Sequence, residues 1–276
     1  MLKKQRLDLL LVEKGLFASR EIARSAIMQG AILVDNNKIV KPGCKVLDSA
    51  NITICNWFHK PKYVSRGGYK LEKALDYFQI SVKDRICLDI GASTGGFTDC
   101  LLQHKASKIY AIDVGYGQID WTLRQNPQVV LIERSNIRYL KSENLYQDNQ
   151  IADFAVIDLS FISVTKIISA LLNLLNTYSE IICLIKPQFE TSKALVEKGG
   201  VIRKPLTQIN AIENVIEKFK SANSSLINLT YSPIKGGAGN IEFLAYFKTN
   251  AQVDINSCLN IETIVKKAHE KLNVKP

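Results

Sequence analysis

Residues 85–99 read R-I-C-L-D-I-G-A-S-T-G-G-F-T-D and place a short apolar segment directly before a glycine-rich turn. The apolar side chains of residues 86–90 predict a buried strand, and those that follow the turn predict the start of a helix. Between them, Gly91, Gly95 and Gly96 let the backbone bend sharply and approach a ligand without a Cβ in the way. A strand, a glycine-rich turn and a helix in this order are typical of the first unit of a nucleotide-binding α/β fold.

The residues around this turn indicate which nucleotide it binds. The turn has neither the G-x-G-x-x-G spacing of dinucleotide-binding units nor the G-K-[ST] of phosphate-cradling loops. Asp89 lies just before the turn, where a carboxylate would repel a pyrophosphate but can accept a hydrogen bond from an amine. A second apolar strand, residues 108–113, ends in Asp113, which is placed to bind both ribose hydroxyls. These features favour S-adenosylmethionine over NAD or ATP.

The predicted cofactor site combines the turn with the ends of the neighbouring strands. In an open α/β sheet, ligands bind beyond the carboxyl ends of the strands, so residues after the later strands also contribute. The predicted cofactor-binding residues are Asp89, Gly91, Ala92, Ser93, Gly95, Gly96, Phe97, Asp113, Val114, Asn136, Ile137 and Asp158.

From residue 65 onward, predicted strands and helices alternate along the chain. The remaining predicted elements are strands at 129–133, 152–157 and 180–185, helices at 69–78, 164–175 and 208–219, and a final hairpin of 226–232 with 242–247. This alternation predicts an α/β fold with a doubly wound, mostly parallel, Rossmann-like sheet of seven strands, the last of them antiparallel.

The 276 residues are enough for one large and one small domain, and the net charge of +10 is unevenly distributed. Residues 1–64 carry 11 Lys and Arg against 5 Asp and Glu, whereas residues 65–276 carry 25 against 21. A small basic segment before a nearly balanced domain suggests a module that docks on RNA or DNA. Mutational bias toward lysine, with the lysines on a solvated surface, is the alternative explanation.

Membrane, secretion and metal-binding signals are missing from the sequence. It has no stretch of 18 apolar residues, and Asp8 and Glu13 interrupt the N-terminal apolar run, which predicts a soluble, cytoplasmic protein. The six cysteines show no C-x-x-C spacing, so free thiols are expected rather than a zinc site or disulfides.

Two short helices and a small sheet are predicted in the basic segment. Helices at 7–12 and 19–30 precede a hairpin that turns at residues 35–37, a K-P-G loop and a strand at 51–55. The segments R-L-D-L-L-L-V-E-K-G, S-R-E-I-A-R-S-A-I-M-Q-G, I-L-V-D and K-P-G resemble the S-four-type RNA-binding domain over the whole segment.

This resemblance implies an RNA-binding domain at 1–58, a linker at 59–64 and a larger domain at 65–276. It implies that basic side chains face RNA phosphates, and the predicted RNA-contacting residues are Lys4, Arg6, Arg20, Arg24, Lys41 and Arg66. In the alternative interpretation, the arginines pair with Glu13 and Glu21. A charged, glycine-rich segment at 188–205 is predicted to be a lid or a further RNA-contacting loop.

Charged residues stand at several predicted strand ends, which meet at one edge of the sheet. Asp158 follows the fourth strand, and Lys186 follows the fifth and precedes a proline. Lys70 lies in the first turn of a predicted helix, where a cation is unfavourable and therefore suggests a function.

Lys70, Asp158, Lys186 and Glu242 fall, in chain order, at the positions of the Lys-Asp-Lys-Glu tetrad of FtsJ-like ribose methyltransferases. The segments I-D-L-S-F-I-S, K-P-Q-F-E, K-G-G-V-I-R and S-P-I-K-G-G-A-G-N-I-E-F-L are similar to those of the TlyA family, which joins this tetrad to an S-four-type domain. The resemblance covers essentially the whole chain. It implies an S-adenosylmethionine-dependent 2′-O-methyltransferase that acts on cytidine ribose in 16S rRNA, 23S rRNA or both.

The chemistry of this reaction fits the tetrad. A ribose 2′-hydroxyl is a poor nucleophile, and its proton must be removed as it attacks a sulfonium methyl group. Lys186 is the expected base, because burial beside a second cation, Lys70, favours a neutral amine. Asp158 and Glu242 would hold the amines and the hydroxyl in line, and the reaction needs no metal. In the alternative interpretation, Lys70 and Glu242 only form an ion pair.

Other chemistries and protein classes fit the sequence less well. Leu159 and Ser160 replace the prolines expected in a base-amine methyltransferase, although Phe161 keeps an aromatic ring, and no cysteine is placed for carbon-five methylation. The N-terminal R-L-D lacks the context of a pseudouridine synthase. A non-catalytic RNA-binding or ribosome-assembly factor is the main alternative. A membrane-active protein has less support, although some members of the family are labelled haemolysins.

Overall fold

The residues that the computed structural model describes are 4–17, 19–56, 58, 61–146, 150–251 and 259–273. The chain forms two compact units, one ending at Val64 and the other beginning at Ser65. Part of the predicted linker at 59–64 lies outside the described residues.

The described part of the first unit contains two helices and five short strands. They are β1 (Lys4–Arg6), α1 (Leu7–Glu13), α2 (Arg20–Met28), β2 (Ile32–Val34), β3 (Asn37–Ile39), β4 (Lys45–Leu47) and β5 (Ile52–Ile54). β1 pairs with β4, and β2 lies between β3 and β5, all antiparallel. The two helices bury Leu7, Leu10, Leu11, Ala23 and Ile27 in one apolar core.

Local sequence signals set most boundaries of this unit. The Ser19 hydroxyl accepts a hydrogen bond from the backbone N–H of Ile22 and caps α2. Asp35 and Asn36 have φ values of 48° and 65°, the left-handed pair that a two-residue hairpin requires. The β1–β4 pair is missing from the sequence prediction, because strands of three residues leave too little alternation to detect.

The sheet of the second unit contains seven described strands: β6 (Ile86–Ile90), β7 (Lys108–Ile112), β8 (Val129–Ile132), β9 (Ala152–Ile157), β10 (Leu175–Ile185), β11 (Ser224–Tyr231) and β12 (Phe243–Thr249). Their order is β11-β12-β10-β9-β6-β7-β8. β12 runs antiparallel to both of its neighbours, whereas the strands from β10 to β8 are parallel. The predicted α/β fold, with a mostly parallel sheet and a reversed last strand, is confirmed.

The described helices of this unit are α3 (Gly67–Phe78), α4 (Gly96–Gln103), α5 (Trp121–Arg124), α6 (Ser142–Leu145), α7 (Ile168–Leu172), α8 (Pro187–Glu190), α9 (Pro205–Lys220) and α10 (Ile261–Leu272). Within the described ranges, none of the helices has the length and apolar character needed to cross a membrane.

The central strands are buried, and their carboxyl ends open at one edge of the sheet. In β9 every residue except Asp153 is buried. Such strands read as continuous apolar runs, because helices cover both faces of a parallel sheet. The same topology brings Asp113, Asp158 and Lys186 to a common edge, directly after β7, β9 and β10.

Two predicted elements of this unit differ in extent from those in the structure. The predicted helix at 164–175 is a 3₁₀ turn followed by the short α7, and Leu175 already begins β10. The apolar residues of this segment are compatible both with a buried strand and with one face of a helix. Periodicity alone therefore does not show where the helix ends and the strand begins. The predicted loop at 188–205 contains a second 3₁₀ turn and the end of α8, and α10 is missing from the prediction.

Candidate active site

The glycine-rich turn joins β6 to α4 and closes tightly against the end of β9. Gly91 has a φ of +88°, and a Cβ built there would lie 2.6 Å from the backbone oxygen of Asp158. A Cβ at Gly96 would overlap the hydroxyl of Ser65. An added Cβ would therefore collide with neighbouring atoms at both positions, which favours glycine there.

A cavity of about 400 Å³ opens beside this turn. That volume lies in the range of small-ligand sites, which are mostly apolar with a few polar groups. Ile112, Ile137 and Leu159 supply apolar walls, and Asp113 and Asn136 supply polar groups. This combination fits the adenosine part of S-adenosylmethionine, whose ring is apolar on its faces and polar at its edges.

Asp113 connects the glycine-rich turn to the loop after β7. Its Oδ2 accepts a hydrogen bond of 2.8 Å from the backbone N–H of Ser93, and its Oδ1 accepts one of 2.6 Å from that of Gly115. Each carboxylate oxygen has further lone pairs. Asp113 can therefore still accept hydrogen bonds from ribose hydroxyls, and this role stays a prediction.

A second cavity, of about 260 Å³, is also lined by residues of the turn. Its walls include Lys70 and Lys186. The two cavities share Gly91, Ser93, Asp158 and Ser160. A ligand in the first cavity can therefore reach the lysines that line the second.

Lys186 is held by two side chains from the loop after β9. Its Nζ lies 2.6 Å from Asp158 Oδ1 and donates a hydrogen bond of 2.8 Å to Ser160 Oγ. The side chains of Lys186 and Asp158 are 9% and 20% exposed. Lys186 precedes Pro187, which occupies the first position of α8, where proline is well tolerated.

Lys70 and Glu242 form the other ion pair of the site. Lys70 Nζ lies 2.6 Å from Glu242 Oε2, and the two side chains are 10% and 3% exposed. The pair joins α3 to the residue that precedes β12. Removing one partner of such a buried pair leaves the other charge buried and unpaired, and it lowers the stability of the protein by about 3–5 kcal/mol.

The structure thus divides the tetrad into two pairs. Lys70, Asp158 and Lys186 line the second cavity, whereas Glu242 does not line it and contacts Lys70 instead. The arrangement presents two amines, one carboxylate and the Ser160 hydroxyl to a shared space beside the glycine-rich turn.

Glu190 ties the loop after β9 to α8. Its carboxylate accepts hydrogen bonds from the Ser163 hydroxyl at 2.6 Å and from the backbone N–H of Val164 at 2.9 Å. Burial raises the pKa of Glu190. This residue is missing from the predicted site, although it lies in the K-P-Q-F-E segment that carries the family resemblance. It fixes the distance between the segments that hold Asp158 and Lys186.

Asp89 lies behind the turn rather than on a cavity wall. It is fully buried, and its Oδ2 accepts a hydrogen bond of 2.6 Å from Thr98 Oγ1. Its Oδ1 has no hydrogen-bond partner among the described residues. Burial raises the pKa of Asp89 to about 7. The predicted contact with the amine of the cofactor stays a prediction.

The raised pKa of Asp89 gives a testable dependence of stability on pH. The folded protein holds this proton up to about pH 7, whereas the unfolded chain releases it near its ordinary value of 3.8. The contribution of Asp89 to stability is therefore fully present below pH ~4 and is lost as the pH rises to about 7, by up to about 1.4 kcal/mol per pH unit. Asp89→Asn should remove this slope. Urea unfolding of both proteins from pH 4.5 to 8 measures it, and parallel curves would contradict the assignment.

Ten of the twelve predicted cofactor residues line one or both cavities, and Asp89 and Gly95 line neither. The sequence prediction of the cofactor site misses other lining residues, most of which lie within a few positions of predicted ones. Besides Arg66, Lys70 and Lys186, which were predicted for other roles, they are Ser65, Gly67, Ile90, Thr94, Ile112, Gly115, Gln118, Ser135, Leu159, Ser160, Phe161, Ile162 and Ile167. The only indication in the sequence was that many of these residues lie near a strand end or a glycine. Such a position does not show where a side chain points.

The predicted RNA-contacting residues lie on both units and reach the surface. Lys4, Arg20, Arg24, Lys41 and Arg66 are exposed, and Arg6 is half-buried. Arg6 and Arg20 both pair with Asp8, which the sequence prediction does not name. Of the alternative partners, Glu13 accepts a hydrogen bond from Gln5, and the side chain of Glu21 lies outside the described part.

Comparison with known families gives one match for each unit. The family described as FtsJ-like methyltransferase matches residues 63–249. The family described as the S4 domain matches residues 5–52. The first match covers the glycine-rich turn, both cavities and all four tetrad positions.

Several relatives match along nearly the whole chain. YqxC of Bacillus subtilis, provisionally named an rRNA methyltransferase, is 43% identical and covers 99% of this chain and 97% of its own. The 16S/23S rRNA (cytidine-2'-O)-methyltransferase TlyA of Mycobacterium tuberculosis is 37% identical over 97% and 98% of the two chains. A solved structure from Streptococcus thermophilus, provisionally named a hemolysin, has 39% identity and a TM-score of 0.75 over 98% of both chains. The chain therefore belongs to the TlyA family of S-adenosylmethionine-dependent, FtsJ-like methyltransferases.

Proposed function

We propose that the protein transfers a methyl group from S-adenosylmethionine to the ribose 2′-hydroxyl of cytidine in ribosomal RNA. The observation that carries this proposal is the position of Lys186, a buried amine that lines the second cavity and is held by Asp158 and Ser160, two residues that line both cavities. The names of the relatives and the S4 match support ribosomal RNA as the substrate. The excess of basic residues in the first unit agrees with a polyanionic partner.

In this proposal Lys186 is the general base. When bound, S-adenosylmethionine supplies an electrophilic methyl group on a sulfonium centre. The 2′-hydroxyl lies in the second cavity. Lys186 acts as a neutral amine, after its ammonium has released a proton to solvent, and its Nζ accepts the hydroxyl proton as the oxygen attacks the methyl group. Asp158 then stabilises the ammonium that forms, because its carboxylate lies 2.6 Å from Nζ. Ser160 fixes the direction of the amine through its own hydrogen bond.

The Lys70–Glu242 pair has a separate task in this scheme. Lys70 lines the same cavity and can donate a hydrogen bond to the oxygen of the 2′-hydroxyl. Glu242 orients the Lys70 amine and neutralises its charge inside the unit. Positioning of this kind contributes more than proton removal, because well-oriented reactants reach effective molarities of about 10⁵–10⁸ M.

The test is methyl transfer from labelled S-adenosylmethionine to purified 30S, 50S and 70S particles. We expect label on ribose, located by the alkali-resistant linkage that a 2′-O-methyl group leaves in RNA. The labelled particle identifies whether 16S rRNA, 23S rRNA or both are substrates.

Two outcomes would contradict the proposal in different ways. Label on a base instead of ribose would place the reaction in another class of RNA methylation. Absence of label on all three particles, from protein that binds both S-adenosylmethionine and ribosomal particles, would support a non-catalytic assembly factor.

A further inference from the structure

The first unit contains a fully buried carboxylate in a strongly basic surrounding. Asp8 lies in the first turn of α1, and its side chain is 0% exposed. A buried charge is unfavourable unless it is paired and hydrogen-bonded. Its partners among the described residues are two arginines, Arg6 directly before α1 and Arg20 at the start of α2.

Both arginines hold Asp8 through directed hydrogen bonds. Arg6 binds it twice, with Nε 2.9 Å from Oδ1 and Nη2 2.9 Å from Oδ2. Arg20 Nε donates to the same Oδ2 at 2.8 Å. These two guanidinium groups keep the pKa of Asp8 well below its ordinary value, so the carboxylate stays ionised at neutral pH. The cluster therefore keeps a net charge of one positive unit.

The two arginines reach solvent although their partner does not. Their side chains are 41% and 43% exposed. No carboxylate other than that of Asp8 lies within ion-pair distance of either guanidinium in the described ranges. A guanidinium has five N–H donors in a planar fork. The donors that do not face Asp8 are available to an external acceptor.

The backbone around Asp8 fixes the place of this cluster. The backbone N–H groups of Leu7 and Asp8 donate to the carbonyl oxygens of Cys44 and Pro42, at 2.8 and 3.1 Å. The K-P-G loop is thereby joined to the start of α1. A Cβ at Gly43 would lie 3.3 Å from Arg6 Nη1, so glycine leaves room for the guanidinium against the loop.

We infer that Asp8 is a positioning residue, which holds Arg6 and Arg20 at a fixed separation so that their outward donors bind phosphate groups of the RNA backbone together. Guanidinium forks match phosphate oxygens in geometry, and side chains that are ordered before binding lose less entropy on binding. This inference rests on the proposed RNA substrate. It adds an acidic residue to a surface whose RNA contacts were predicted from basic residues alone.

The variant Asp8→Asn, which removes the negative charge, distinguishes an effect of arginine positioning from an effect of net charge alone. The substitution makes the protein more positive by one unit, which on charge alone should tighten binding to RNA. If Asp8 orders the arginines, binding should instead weaken, by about tenfold. The loss of roughly one phosphate contact should also lower the salt dependence of log K by about 1. The full-length protein is titrated with deproteinised ribosomal RNA at several salt concentrations.

Glu13→Gln is the matched control. It removes one negative charge from an exposed position of the same helix, where Glu13 is bound only by a surface glutamine among the described residues. We expect its affinity for RNA to be unchanged or slightly higher than that of the wild type. Affinity of Asp8→Asn equal to or higher than that of this control would overturn the inference.

Arg20→Lys decides the question if Asp8→Asn does not fold, as judged by circular dichroism. Lysine keeps the charge at this exposed position but cannot bind a carboxylate and a phosphate with one planar fork. Binding at least fivefold weaker than that of the wild type supports the inference, and unchanged binding overturns it. Methyl transfer by the wild type is measured in a separate experiment. If the wild type binds RNA without methylating it, the proposed function is contradicted, but the inference about Asp8 is not.

Discussion

Replacing Lys186 with alanine is expected to lower methyl transfer to ribosomal particles by about 10²–10⁴-fold, the range that a positioned general base contributes. The residual rate would come from the bound and oriented reactants. The variant also leaves the Asp158 carboxylate, which is 20% exposed, without its cation. Single-turnover rates with labelled S-adenosylmethionine measure the effect, and calorimetry with the cofactor alone should show affinity within a few-fold of the wild type.

Lys186→Arg distinguishes a base from a structural cation. Arginine keeps the positive charge and can pair with Asp158, but it does not give up its proton in a protein. If Lys186 accepts the 2′-hydroxyl proton, the arginine variant should be nearly as inactive as Lys186→Ala. If its role were only to neutralise Asp158, arginine should restore most of the rate.

Lys83→Ala is the control for loss of a lysine from this unit. Its side chain is 64% exposed and lies before β6, at the end of the strand away from the glycine-rich turn. Its methyl transfer should equal that of the wild type. If Lys186→Ala keeps more than a tenth of the wild-type rate, Lys186 is not the general base.

The strands and the cofactor turn could be predicted because each is encoded locally. A strand buried on both faces must be a continuous apolar run, and residues 152–157 show such a run, broken only by Asp153. A left-handed backbone conformation favours glycine whatever surrounds it, and Gly91 has such a conformation, with a φ of +88°. These constraints act within about ten residues, so the sequence shows them directly.

Most of the pairing of charges could not be predicted, because it depends on how distant elements pack. A Lys70–Glu242 ion pair was an alternative interpretation of the sequence, but the two residues are 172 positions apart and meet only once α3 and β12 are in place. Asp8 and Arg20 meet because α1 packs against α2 with Asp8 on the buried side. For Lys186, Arg6 and Arg20, sequence reasoning identifies the charged group but not its partner. The four tetrad residues were therefore predicted as a set, and the structure supplies the division into two pairs.

Asp89 shows a related limit. Its place just before a glycine-rich turn favours a contact with the cofactor, but a strand alternates its side chains between two faces. The structure turns this carboxylate toward Thr98 on α4, away from both cavities. The sequence does not show which face of β6 meets α4, because both faces of this strand are buried.

Replacing Gly91 with alanine is expected to damage both the fold and the cofactor site. The φ of +88° disfavours any residue with a Cβ, and the added atom would lie 2.6 Å from the carbonyl oxygen of Asp158. The left-handed conformation alone costs about 1–2 kcal/mol. With the clash added, we expect the free energy of unfolding to fall by about 3 kcal/mol, within the range of backbone strain and overpacking. Urea unfolding measures this change.

Gly199→Ala separates the two causes. Gly199 has a φ of +86°, nearly that of Gly91, but a Cβ there would meet nothing within 4 Å. This control should lose only the 1–2 kcal/mol of the left-handed conformation and should bind S-adenosylmethionine normally.

The clash at Gly91 should also reach the chemistry, because the atom that it displaces belongs to Asp158. Moving the end of β9 shifts the carboxylate that holds Lys186, and a misplacement of about 1 Å at a reacting group can cost 10²-fold in rate. Gly91→Ala should therefore lose both cofactor affinity and turnover. A variant that only removes contacts within the first cavity would lose cofactor affinity alone. Turnover equal to that of Gly199→Ala at saturating cofactor would show that the turn and the tetrad are independent. Turnover that stays low at saturation would show that the same close contact between Gly91 and Asp158 shapes the cofactor site and aligns the base.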